Sequence, residues 1–130
     1  MSVFPEEYDF FSLFGCEPIL FDNTTEDLPF YYNKSTYQFS NGAEDFSVTI
    51  SPSYGEVKIQ VTQMTSNILL SLLDLKRVVK FEITADKKDT ASVLLTIVNE
   101  DSQQIIEIDF KPKYKLITIL MQLWALIKED

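Results

Sequence analysis

The chain has 130 residues, 45% of them hydrophobic, and a formal net charge of −9. A chain of this length and composition is expected to form one domain, residues 1–130, without long disordered stretches. It contains no histidine and a single cysteine. A single cysteine rules out an internal disulfide, and the lack of histidine removes the commonest general base and the usual zinc ligand. We therefore expect no cofactor and no metal site.

The first predicted element is a short helix over residues 5–14. Pro5 suits the first helical position, and Glu6 and Glu7 place negative charge in the first turn, where the helix dipole favours it. Gly15 supplies the stop signal. Three aromatic residues at helical spacing predict the face that packs on a sheet: Tyr8, Phe11 and Phe14.

Residues 16–28 have the composition of a loop, with Pro18, Asn23 and two threonines. The loop carries four acidic residues: Glu17, Asp22, Glu26 and Asp27. Residues 30–39 are aromatic and β-prone, which predicts a first strand or a pair of short strands.

Four later stretches alternate apolar and polar side chains with a period of two, the pattern of strands with one packed face and one wet face. Their apolar positions are Phe46, Val48 and Ile50; Val57, Ile59 and Val61; Val79, Phe81 and Ile83; and Ile106, Ile108 and Phe110. Turn sequences separate them. Asn41-Gly42 is the strongest, and the turn at residues 51–55 is expected to place Tyr54 at an exposed tip.

Two stretches fit either a strand or a helix. For residues 66–76 we predict a strand that ends in a turn at residues 74–77. Residues 114–127 are almost wholly apolar, which favours a helix, although Ile117, Thr118 and Ile119 are β-branched and also suit a further strand. The predicted fold is therefore α+β: an antiparallel meander sheet of five or six strands, with a short N-terminal helix and a C-terminal helix packed on one face.

The net negative charge comes entirely from the first half of the chain, because acidic and basic residues balance in the second half. Residues 1–57 hold ten acidic residues against one basic residue, and they also hold 13 of the 17 aromatic residues. Phosphate binding needs clustered lysine and arginine, so this distribution argues against nucleic acid as a ligand and favours a basic protein partner. The longest apolar run, residues 116–127, is too short to span a bilayer, so we expect no membrane association.

The candidate interface combines carboxylates suited to lysine or arginine with the large rigid rings that dominate binding hot spots. Its residues are Asp22, Glu26, Asp27, Tyr31, Tyr32 and Tyr54. We predict a non-catalytic, acidic protein-binding domain, similar in character to the immunity proteins and inhibitors that neutralise basic toxins or nucleases. The alternative is a structural or adaptor subunit that assembles, as a homodimer, through its apolar C-terminal helix.

Other candidate sites are weaker. Glu107 and Asp109 alternate with apolar residues, as on any wet strand face, and the oxygen-rich stretch 22–27 lacks the glycine that a calcium loop needs at its sixth position. Cys16 has no histidine to activate it, and its neighbour Glu17 is expected to raise its pKa. An unpaired cysteine and the lack of a basic segment before an apolar run predict a cytoplasmic protein. The lack of histidine and of any catalytic motif predicts that it is not an enzyme.

Overall fold

The structure, a computed structural model, describes residues 3–20 and 28–122. It is mostly β, with two antiparallel sheets that share one hydrophobic core. The elements are α1 (Glu7–Phe14), β1 (Ile19–Leu20), β2 (Ser35–Ser40), β3 (Glu44–Ser51), β4 (Glu56–Gln63), β5 (Leu69–Leu75), β6 (Val78–Lys87), β7 (Thr90–Val98), β8 (Ser102–Lys111) and β9 (Lys115–Gln122). Two 3-10 turns, Phe30–Tyr32 and Pro52–Tyr54, precede β2 and β4.

Each strand pairs with the next along the chain except β5 and β6, which belong to different sheets. The first has the order β1-β2-β3-β4-β5 and the second the order β6-β7-β8-β9. The chain crosses between them at Lys76 and Arg77, where Arg77 has a positive φ of 59°. The predicted single meander of five or six strands is therefore wrong. In the prediction a helix covered the apolar face of one sheet, whereas in the structure the apolar faces of two sheets cover each other.

The predicted apolar phases form this shared core. Ten of the twelve positions named above are buried, and the exceptions are Val79 and Ile83 of β6, which are half-buried. The register of β6 against β7 shifts close to both residues, between Val78 and Lys80 and between Ile83 and Ala85. Strand periodicity thus identified which side chains face inward.

The two ambiguous stretches are both strands. β5 covers most of residues 66–76, so the predicted strand is confirmed. The predicted C-terminal helix is wrong over residues 115–122, which form β9, and residues 123–130 lie outside the described part of the chain. β9 pairs with β8 along its length, from Lys115 opposite Asp109 to Gln122 opposite Ser102. Its β-branched residues suit this pairing, which satisfies the hydrogen-bonding edge of β8.

The N-terminal helix is present, but a different face is buried. Asp9 accepts a hydrogen bond from the backbone N–H of Glu6 (3.0 Å), as part of a reciprocal capping arrangement, and Gly15 ends the helix in the left-handed conformation. The buried side chains are Phe10, Leu13 and Phe14. Tyr8 and Phe11, predicted to dock on the sheet, are exposed, because aromatic residues lie all around this helix and their spacing alone did not select a face.

The Asn41-Gly42 turn joins β2 to β3 as predicted, and it also links the two sheets. The Oδ1 atom of Asn41 accepts from the backbone N–H of Glu44 (2.7 Å), while its Nδ2 donates to the carbonyl of Phe110 in β8 (2.9 Å). The carboxylate of Glu44 in turn accepts from the backbone N–H of Tyr114 (3.2 Å). Polar side chains of one hairpin therefore fix the position of the turn before β9.

Gly55 provides a test of how tightly the two sheets are joined. It follows the Pro52–Tyr54 turn with a φ of 64°, and its carbonyl accepts from the N–H of Val78 (2.8 Å) in the second sheet. A Cβ at this position would lie 3.0 Å from the carbonyl oxygen of Val78. Gly15 has a similar φ of 68° but nothing within 4 Å of a Cβ, so it is the matched control.

We expect Gly55→Ala to lower the free energy of unfolding more than Gly15→Ala does. Both changes incur the cost of a side chain at positive φ, about 1 kcal/mol, and the first adds a backbone clash. Urea denaturation of both variants measures the difference. Equal urea midpoints for the two variants would show that β6 moves away from the added Cβ at no cost in stability.

Candidate functional site

The aromatic side chains in residues 28–34, part of the predicted interface, lie partly in the core and partly on the surface. The 3-10 turn is closed by a bond from the N–H of Asn33 to the carbonyl of Phe30 (3.0 Å). Phe30 points inward, with its ring 5.6 Å from that of Phe10, while Tyr31 and Tyr32 are exposed and meet edge to face at 5.2 Å. The turn, rather than the predicted strand, determines which rings are available to a partner.

Tyr54 lies at an exposed tip, as predicted, and is 76% exposed. The Pro52–Tyr54 turn contacts the Phe30–Tyr32 turn, so two distant parts of the sequence meet. Tyr32 and Tyr54 line the same small cavity of about 140 Å³, together with Asn33, Ser51 and other residues. The structure therefore brings two of the three predicted tyrosines together beside the third.

The three predicted acidic residues, Asp22, Glu26 and Asp27, lie outside the described residues. The described residue that follows them, Leu28, is exposed and accepts a hydrogen bond at its carbonyl from Nδ2 of Asn33 (3.2 Å). Their contribution to a binding surface stays a prediction.

A larger cavity, of about 610 Å³, lies between α1 and the segment that leads into β2. Its lining combines two carboxylates with three aromatic rings and contains no basic residue among the lining positions: Glu7, Tyr8, Phe11, Glu17, Pro18, Leu28, Phe30 and Asn33. We call it the α1 cavity. Tyr8 is 80% exposed and Phe11 45% exposed, so both offer ring surface to a partner. The sequence interpretation missed these two residues because it assigned them to the core.

Asn33 lines both cavities and begins a row of unsatisfied polar side chains. Ser35 and Tyr37 lie two residues apart in β2 and so share one face of that strand, and Asn33 lies between the 3-10 turn and the strand. Each is buried, and Asn33 Oδ1, Ser35 Oγ and the Tyr37 hydroxyl have no hydrogen-bond partner among the described residues. Burying such groups without partners costs about 1–3 kcal/mol each, so most proteins avoid it.

Metal ligands and the single cysteine were the other candidate sites in the sequence. No group of three or more metal-ligating side chains occurs within residues 3–20 and 28–122. Burial raises the pKa of the Cys16 thiol, opposed in part by a hydrogen bond with the backbone of Gln38. The predicted direction is confirmed, but the cause is burial rather than Glu17, and a raised pKa leaves less of the reactive thiolate at neutral pH.

Apolar side chains are also exposed on two edge strands. Leu69, Leu70 and Leu72 lie on β5, and Ile119 and Leu120 on β9. The hydroxyl of Tyr114, just before β9, hydrogen bonds to Ser71 of β5 (3.0 Å), so the two strands approach each other. Within residues 3–20 and 28–122, no helix has the length and apolar character needed to cross a membrane.

Comparison with known proteins gives one informative result at the level of fold. No protein-family model and no curated protein matches the chain. A chain in the solved structure of a contact-dependent growth inhibition toxin–immunity protein complex from Klebsiella pneumoniae 342 is similar, with a TM-score of 0.71 and 17% sequence identity. The match covers 92% of this chain and 97% of that chain, so the two share a fold over nearly their whole lengths.

Tyr37→Phe tests whether the buried polar row lowers stability. Because the hydroxyl is buried without a partner among the described residues, we expect its removal to raise the free energy of unfolding at neutral pH by about 1 kcal/mol. Tyr8→Phe, at an exposed position, should leave stability unchanged and is the control. Chemical denaturation measures both, and a clear loss of stability in Tyr37→Phe would mean that the hydroxyl is satisfied.

The same variant should also differ at high pH. Burial, then the charge of Glu7 and that of Cys16, raise the pKa of Tyr37 well above its ordinary value. The folded protein therefore keeps the Tyr37 proton at a pH where the unfolded chain has lost it, above about pH 10. The free energy of unfolding is unaffected by the ionisation of this group below that pH and falls as the pH rises above it. Tyr37→Phe should lose less stability than the parent protein when the pH is raised through this range.

Proposed function

We propose that this protein is an immunity protein that binds a toxin and blocks it by occupying its surface. The fold shared with a chain of a toxin–immunity protein complex carries the proposal. That complex contains two kinds of chain, and we assign this one to the immunity side. A net charge of −9 and the absence of histidine suit an inhibitor better than a toxin that performs chemistry.

The proposed partner is a basic protein. The first half of the chain holds ten acidic residues against one basic residue, and such a field attracts and steers a positively charged surface. We place the contact at the surface formed by the α1 cavity and the two contacting 3-10 turns, which carry Tyr31, Tyr32 and Tyr54. The acidic residues Asp22, Glu26 and Asp27 belong to this surface in the proposal, and a cytoplasmic location suits a protein that protects the cell that makes it.

Co-expression tests the function directly. The candidate toxins are the products of the genes on either side of the gene for this chain, each produced in a bacterial host from an inducible promoter. We expect growth to stop when the toxin is induced alone and to continue when this protein is present, with a stable complex on size-exclusion chromatography. Growth arrest caused by this chain alone, or no complex and no protection, would contradict the proposal.

Charge reversal tests the site. Glu26→Lys with Asp27→Lys should lower the association rate with that toxin by about tenfold or more at low salt, with a smaller effect at high salt, because screening removes the long-range attraction. Glu100→Lys with Asp101→Lys, in the exposed β7–β8 turn, is a control of equal charge change. Surface plasmon resonance measures the association rates of both double variants. Equal rates would show that Glu26 and Asp27 are not part of the interface.

A further inference from the structure

The α1 cavity has the properties of a binding pocket for one side chain of the partner. Its volume of about 610 Å³ lies within the range of pockets that hold small ligands. Glu7 and Glu17 are exposed at its wall, and no lysine or arginine is among the residues that line it. A positively charged group entering the cavity would therefore meet two carboxylates and no repelling charge.

Asn33 is an independent indication that the cavity suits a hydrogen-bond donor. Its side chain lines the cavity, is only 7% exposed, and donates from Nδ2 to the carbonyl of Leu28. Its Oδ1 atom has no partner among the described residues. An N–H donor that reached this wall of the cavity would satisfy an acceptor that is otherwise buried at a cost.

The aromatic part of the lining selects among positively charged groups. Tyr8, Phe11 and Phe30 present ring surface to the cavity. A guanidinium group stacks on aromatic rings, carries five N–H donors and is weakly hydrated, whereas an ammonium group is compact and holds its water more strongly. Two carboxylates, an amide oxygen and three rings therefore match a guanidinium better than an ammonium.

We propose that the α1 cavity is the socket for an arginine side chain of the toxin. This inference rests on the proposed function for the identity of the partner, but the preference for a guanidinium group belongs to the cavity alone. Arginine is common among the residues that contribute most to binding at protein interfaces. The socket would hold the partner next to Tyr32 and Tyr54, which lie on the other side of Asn33.

The first experiment needs no toxin. Nitrogen-15-labelled protein is titrated with N-acetyl-arginine amide, with the neutral citrulline analogue and with the lysine analogue, and backbone amide shifts are followed by NMR. We expect saturable shifts confined to the lining residues with the arginine compound, and affinities at least fivefold weaker for the other two. Equal shifts with all three compounds, or shifts away from the cavity, would overturn the proposal.

Glu7→Gln with Glu17→Gln removes both charges while keeping the size of the side chains. Neither residue provides the capping contacts of α1, which come from Glu6 and Asp9, so the spectrum should keep the dispersion of a folded protein. We expect the arginine-induced shifts to be lost. Glu100→Gln with Asp101→Asn makes the same change in charge at the β7–β8 turn and should leave them intact.

The second experiment uses the toxin domain and the same two double variants. We expect the Glu7→Gln, Glu17→Gln protein to bind the toxin at least tenfold more weakly than the control, mainly through faster dissociation. Unchanged binding would overturn the socket even if protection is observed. If no toxin binds but the arginine compound does, the proposed function fails while the guanidinium specificity of the cavity stands.

Discussion

Four aromatic rings at the junction of the helix and the two sheets hold the structure together. Phe14 of α1 stacks on Phe39 of β2 with ring centroids 4.7 Å apart, and Phe39 stacks on Phe46 of β3 at 5.0 Å. Phe110 of the second sheet meets all three rings edge to face, at 5.3–5.6 Å. Such pairs contribute about 0.5–1.5 kcal/mol each beyond the area they bury, so this cluster joins α1 to strands of both sheets.

The position of the α1 cavity follows from this cluster. Because Phe10 and Phe14 are fixed in the core, the opposite side of a helix only eight residues long must face outward with Tyr8 and Phe11. On another side, the hydroxyl of Ser12 donates to Asp86 of β6 (2.6 Å), which ties the helix to the second sheet. The α1 cavity is thus bounded on one side by a helix that is held on two sides.

The sequence predicted local pairing well and the arrangement of sheets poorly. Alternation in β3, β4 and β8 identified the buried residues, since a period of two depends only on the strand itself. Nothing in that pattern tells whether β5 and β6 belong to one sheet, which depends on a turn at Lys76 and Arg77 and on contacts across the core. The apolar character of residues 114–122 led to the wrong prediction of a helix packed on the sheet, because their β structure depends on the free edge of β8 and most of their side chains are exposed. In the candidate site, Tyr54 was predictable from its turn, whereas Tyr8 and Phe11 required knowledge of which helix face the core accepts.

Long-range charge and short-range shape have different roles in the proposed interface. The excess of acidic residues acts over about a Debye length, so it accelerates encounter with any basic surface and discriminates little between them. The α1 cavity acts only after contact, and it rewards one geometry of donor groups, so it controls dissociation and specificity. Such a division explains why the wet faces of the sheets, where Lys80 pairs with Glu82 (3.5 Å), need carry no net field. In this proposal, attraction and selection are properties of the first half of the chain, while the second sheet supports α1 through Asp86 and Phe110.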